Sequence, residues 1–320
     1  MKRTIKTIAF CTLIALVGAT FAATPAKKPI TIGIVVPIQL PAMKQIVSGF
    51  ETTLKKESSV PVKFLVKNAQ GNINIQRSIL QEFNAPSINI VAPIGTDATQ
   101  MAIAMIRNKP IIGIAADHIK EEATKANNHN VTGVNSKVPA AQRMQFIHDA
   151  MPKLKKLTIV YSSAGRIFSQ VKQVVAAAKK DHITVQKLMV TQLSDLYTIS
   201  KNIAPNSQAI FILKDEMIVS GLNTLLQQAR LKSISVIASD DGSVSKGAAF
   251  ALGVSEYQTG VATAKVVNKI IKGAKAGDLP VHMMTHYFVF LNPAAATAQH
   301  INPAVVKAAA KKAGYKISIL

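Results

Sequence analysis

The feature that most constrains this chain is an order of apolar runs that occurs twice. The first half holds TIGIVVP, INIVAPIGTD and KPIIGIAAD, and the second holds LTIVYSS, QAIFILKDE and ISVIASDD. The spacing repeats as well. Ile88 lies 57 residues after Thr31 and Pro110 22 further on, while Ala209 lies 52 after Leu157 and Ser233 24 further on. Short runs rich in Ile and Val, bounded by turn residues, read as buried strands. Strands are expected at Thr31–Val36, Val62–Val66, Ile88–Ile94, Pro110–Ala115, Leu157–Tyr161, Thr184–Met189, Ala209–Leu213 and Ser233–Ala238. Between them, helical periodicity covers Met43–Lys56, Asn74–Glu82, Ala98–Asn108, Ala140–Met151, Ile167–Lys180 and Val219–Ala229. Strand and helix in alternation give α/β layers with parallel sheets. Two lobes of one topology are the simplest expectation.

The chain is expected to cross between lobes at Asn130–Val134, at Gly253–Tyr257 and along the strand-like stretch Pro280–Leu291. That divides it into lobe I (30–134 plus 255–281) and lobe II (135–254 plus 282–320). Residues 1–22 read as a secretory signal peptide, with basic Lys2, Arg3 and Lys6, a short apolar run and small residues up to Ala22. Cys11, the single cysteine, falls inside that run and is badly placed for lipid attachment. A periplasmic protein that is not a lipoprotein is therefore expected. After cleavage no disulfide, thiol nucleophile or cysteine metal site is possible.

The formal charge is +22, or +19 without the three basic leader residues. Such a balance raises nucleic acid as a partner. The pattern speaks against it. Lysine dominates, it is scattered along every segment, and there is no tryptophan or basic stripe interleaved with aromatics for base stacking. A solvated lysine-rich surface is the simpler reading. Enzyme signatures are missing too: no G-x-S-x-G, Walker A, G-x-G-x-x-G or H-E-x-x-H sequence occurs, and the seven histidines are dispersed. No enzyme activity, cofactor or metal is expected.

Ligands of open parallel sheets bind beyond the C-terminal strand ends. That rule selects Pro37–Gln39, Gly95–Asp97 and Ala116–Asp117 in the first half, and Ser162–Ser163, Lys214–Asp215 and Ser239–Asp241 in the second. Thr96 or Asp97 is expected to cap the following helix, whose free N–H groups also suit a carboxylate. Asp117, Asp215, Asp240 and Asp241 are candidate partners for a ligand ammonium, against ordinary turn chemistry as the competing reading. Arg166 suits a bidentate clamp on an acidic group. The candidate binding set is thus Gln39, Thr96, Asp97, Asp117, Ser163, Arg166, Asp215, Ser239 and Asp240.

These stretches carry a family resemblance. TIGIVVPIQLPAMKQIVSGF, KNAQGN, PIGTDATQMA, PIIGIAAD, NVTGVNS, DEMIVSGLNTL, VIASDDGSVSKGAAFALGVSEYQTG and LNPAAA occur in order across about Ile30 to Pro303. The chain resembles the substrate-binding proteins of ABC transporters, in the group with tryptophan- and tyrosine-binding members. The resemblance implies two Rossmann-like lobes with parallel sheets joined by a multi-crossing hinge, the type I periplasmic binding protein fold. It implies a monomeric receptor that closes on a small polar ligand, an amino acid first, and delivers it to an ABC permease in the inner membrane. Thr96 and Asp97 then fall in the loop receiving the ligand's polar end. Asp117, Asp215 and the Ser239–Asp240 pair fall in neighbouring cleft loops. Three stretches depart from the family pattern. Leu40–Lys44 reads LPAMK for His-Pro-Ala-Leu-Asp, Ala164–Ile167 reads AGRI for Glu-Ala-Asn-Ser, and Asp117–His118 replaces Asp-Pro. Arg166 in place of the Asn-Ser pair suits a ligand with an added negative group. A periplasmic sensor feeding a membrane signalling protein and an exported polyanion-binding protein are the alternative functions.

Overall fold

The computed structural model describes residues 28–320; the expected signal peptide lies outside them. Thirteen strands are described: β1 (Ile30–Val36), β2 (Val62–Asn68), β3 (Ile90–Pro93), β4 (Ile111–Ile114), β5 (Val131–Asn135), β6 (Lys156–Ser162), β7 (Thr184–Val190), β8 (Ala209–Ile212), β9 (Ser235–Ala238), β10 (Phe250–Gly253), β11 (His282–Met283), β12 (Phe288–Leu291) and β13 (Lys316–Ile319). They form two sheets, β11-β5-β4-β3-β1-β2 and β13-β12-β10-β9-β8-β6-β7. Every pairing is parallel except β10 with β12.

The central strands are short and buried on both faces. IVAP, IIGI, AIFI and SVIA have no exposed residue, as expected where helices cover both sides of a parallel sheet. The edge strands β2 and β7 instead carry lysines at exposed or half-buried positions, Lys63, Lys67 and Lys187. Charge at an edge discourages pairing with another chain.

Three connections join the sheets. The chain leaves β5 for helix Ala140–Ala150 and β6, returns after β10 into helix Glu256–Ile271, and leaves again between β11 and β12. Helix Glu256–Ile271 packs along helix Pro41–Glu57 of the first lobe. In the latter, Pro41 opens the first turn, Ile46, Phe50 and Leu54 share the buried face, and Lys55 and Lys56 close the last turn. Each position follows helix rules: a preset φ at the start, an i+4 apolar stripe, and cations at the negative end of the dipole. The contact is tight enough to exclude side chains. A Cβ on Gly260 would sit 2.1 Å from the Ile46 carbonyl oxygen, and one on Gly49 2.2 Å from that of Tyr257.

Two crossings differ from expectation. Asn130–Val134 leads into a strand of the first sheet, because Val131 to Val134 are buried and pair with Ile111 to Ile114; the connection follows it. Pro280–Leu291 is two strands in different sheets. His282 and Met283 pair with Val134 and Asn135, two residues past the expected lobe boundary, whereas Phe288 to Leu291 pair with β10.

Candidate functional site

The C-terminal ends of the strands in both lobes face one cleft. Its lining forms two joined compartments. One is walled by Leu40, Met43, Ile46, Ile94 and Val219, with Glu216, Asp240 and Glu256 around them. The other is polar, with Asp117, Ser136, Arg143, Gln170, Gln173 and Ser239. Thr96, Ala115, Arg166 and Lys214 line both. A groove toward the outside shares Asp215 with the apolar compartment and adds Ile38, Ile73, Asp97, Leu193 and Met217.

Thr96 reaches this junction through a turn only Gly95 makes easily. Gly95 has φ +89° and accepts from the Thr99 hydroxyl at 2.7 Å. It is Gly95, then, that occupies the cap of helix Thr96–Met105, and neither Thr96 nor Asp97 caps it. Both stand in the first turn, where the helix N–H groups lack intrahelical acceptors. The Thr96 hydroxyl accepts the Asp117 N–H at 3.1 Å, tying the two first-lobe loops together. Ala115, between them, holds φ +53°, a backbone strain that marks binding loops.

Arg166 enters from the other lobe, in the first turn of helix Gly165–Lys180. A cation there opposes the helix dipole. Its neighbours offset this: Glu216 pairs with its guanidinium, Lys214 supplies a carbonyl at 3.1 Å, and Asp97 of the first lobe lies 3.7 Å away. Burial works against the charge of Arg166, but Glu216, Asp97, Asp215 and Asp117 outweigh it and raise its pKa. The expected clamp on an acidic ligand is therefore already filled by protein carboxylates. Lys214 makes the second pair across the lobes, to buried Glu256. Desolvation raises the pKa of Glu216 and of Glu256, each countered by its cation.

The remaining second-lobe candidates are also held by protein. Asp215 is buried and accepts the Ser162 N–H at 2.6 Å; it stands at the N-cap of the helix that follows, but its side chain makes no capping bond. Ser239 donates to the Ile212 carbonyl at 2.7 Å. Asp240 caps the short helix Asp241–Ser245, accepting the N–H and the hydroxyl of Ser243, both at 2.8 Å. Asp241 differs. It is buried, and its Oδ1 has no hydrogen-bond partner among the described residues.

Two candidates are not brought to the cleft. Gln39 is exposed on an outer groove with Lys44 and Glu51, because Leu40 takes the buried position beside it. Ser163 is exposed because the buried end of β6 is Ser162. Sequence reading missed Glu216, Glu256 and Arg143. Glu216 and Glu256 look like ordinary first-turn acids. Arg143 had a signal: it shares the apolar face of its helix with Ile147 and Ala150, at i+4 and i+7.

The sequence profile described as "ABC transporter substrate binding protein" matches residues 31–313. The chain belongs to that family. Among relatives of this substrate-binding protein is an uncharacterized protein of Rickettsia prowazekii, 35% identical over 283 residues that cover 88% of each chain. The tyrosine-binding protein of Clostridioides difficile is 24% identical, over 84% of this chain and 80% of that one. An ABC domain from Streptococcus pneumonia, solved in complex with L-Trp, superposes with a TM-score of 0.80 at 24% identity, covering 88% of this chain and 98% of that one. This last likeness establishes the two-lobed α/β fold of type I periplasmic binding proteins for the substrate-binding protein described here.

Proposed function

We propose that this substrate-binding protein is the periplasmic receptor of an ABC importer, exported by the signal peptide at residues 1–22 and handing its solute to an inner-membrane permease. The solute is a small polar molecule, an amino acid first and an aromatic one by preference. One observation carries this reading: cations of the second lobe meet carboxylates of the first across the cleft, Arg166 with Asp97 and Lys214 with Glu256. A ligand that touches both rims adds energy only to the closed arrangement, and so shifts the lobes toward it. The lobes are residues 30–135 with 255–283, and 136–254 with 284–320, following sheet membership. The apolar wall beside an acidic rim suits an ammonium next to a hydrocarbon or ring. The tyrosine-binding relative and the L-Trp complex point the same way.

The test is gentle purification, identification of any co-purified solute by mass spectrometry, and melting with a panel of amino acids. A bound amino acid at about a hundred times its Kd adds roughly 2.7 kcal/mol of stability, and small-angle scattering should show a more compact particle. No shift with any amino acid would end the amino acid assignment.

A further inference from the structure

We propose that Arg143 anchors a carboxylate of the bound solute in the polar compartment. The inference rests on the receptor reading and adds a residue and an orientation to it. Arg143 is 7% exposed. Among the described residues its guanidinium makes one hydrogen bond, Nε–H to the Leu252 carbonyl at 3.4 Å, and no salt bridge. The terminal nitrogens make no hydrogen bond among the described residues, and Arg143 lines the polar compartment with Gln170, Gln173 and Ser239. A guanidinium carries five donors in a planar fork that fits a carboxylate through two parallel bonds.

Of the other cations lining the two compartments, Arg166 is paired with Glu216 and Lys214 with Glu256, and Lys137 is half-buried. Arg143 is the one that is buried with no salt bridge among the described residues. Asp240 is the largest influence favouring its charge, yet that carboxylate accepts from Ser243 with both oxygens and makes no salt bridge to Arg143. Burial lowers the Arg143 pKa to about 10, which leaves it charged at neutral pH. A buried charge without a counter-ion is costly, and an arriving carboxylate removes that cost. The adjoining apolar compartment carries the acids Glu216, Asp240 and Glu256. A zwitterion is thereby oriented: carboxylate to Arg143, ammonium to the acids, side chain to Leu40, Met43 and Val219.

The test uses the full protein labelled with ¹⁵N-arginine, together with Arg143→Gln and Arg143→Lys, so that one folded variant suffices. The Arg143 Nε–H resonance is the one both variants lack. Acetate should shift it saturably, and chloride at equal ionic strength should not. Any amino acid that stabilises wild type should bind at least about tenfold more weakly to the variants. Its decarboxylated amine should bind wild type and variants alike. An amino acid that binds all three proteins equally overturns the anchor and leaves the receptor reading standing. If no amino acid binds wild type, the amino acid reading fails on its own. Acetate then decides: a saturable shift keeps Arg143 as a carboxylate site, and an unmoved resonance removes it.

Discussion

At the scale of single residues, the cleft holds charges that an ordinary core would not. Next to the cleft residue Asp240, Asp241 has one oxygen buried without a hydrogen-bond partner among the described residues. Desolvation raises its pKa, with Lys214 offsetting part of the effect and Asp240 adding to it. The folded protein therefore binds this proton more tightly than the unfolded chain. Stability then falls as pH rises from the ordinary aspartate range through the raised value. Asp241→Asn should accordingly be more stable than wild type by about 1 kcal/mol at neutral pH. The advantage should vanish in acid, where both states of wild type are protonated. Urea unfolding across pH measures it, and a variant less stable at neutral pH would mean that Asp241 has a partner in solution.

At the scale of elements, a close backbone contact joins helices Pro41–Glu57 and Glu256–Ile271, which lie 215 residues apart from start to start. Gly49 and Gly260 leave no room there for a methyl group. Gly260→Ala should cost about 2–3 kcal/mol by overpacking, read as a lower melting temperature, because Ile46 and Phe50 must shift with the helix. An unchanged melting point would show that the helices slide apart at no cost. Elements of this kind were legible in part. Helix Pro41–Glu57 and strands β1, β6 and β7 announce themselves by period and composition. β5 did not, because Val131–Asn135 is interrupted by Thr132 and Gly133, which look like a loop until Gly113 and Ile119 are packed against them. β10 and β13 are short, and their identity comes from the sheet they join. In the site, the strand-end rule selected Thr96, Asp97, Asp117, Lys214, Asp215, Ser239 and Asp240, and side-chain chemistry selected Arg166; all of these line the cleft or its groove. It could not tell which of their atoms were already bonded, since Ser162 reaches Asp215 and Glu216 reaches Arg166 only through tertiary contacts.

At the scale of the whole molecule, charge is sorted by location. Six of the sixteen acids, Asp97, Asp117, Asp215, Glu216, Asp240 and Glu256, line the cleft and its groove. The outer surface is left with an excess of lysine. Self-repulsion of that surface opposes compactness and is screened by salt. The melting temperature should rise as ionic strength goes from about 0.01 M to about 0.15 M. A fall would mean that exposed pairs such as Lys55–Glu51 and Lys67–Glu82 contribute more than the repulsion removes. The three connections between the sheets have another consequence, in the order of synthesis. The first sheet cannot be finished until β11 emerges, and by then β6 to β10 have already been made. The second sheet waits in turn for β12 and β13, which follow β11. Neither sheet is finished before most of the other has been made, so the two halves mature together and not in succession.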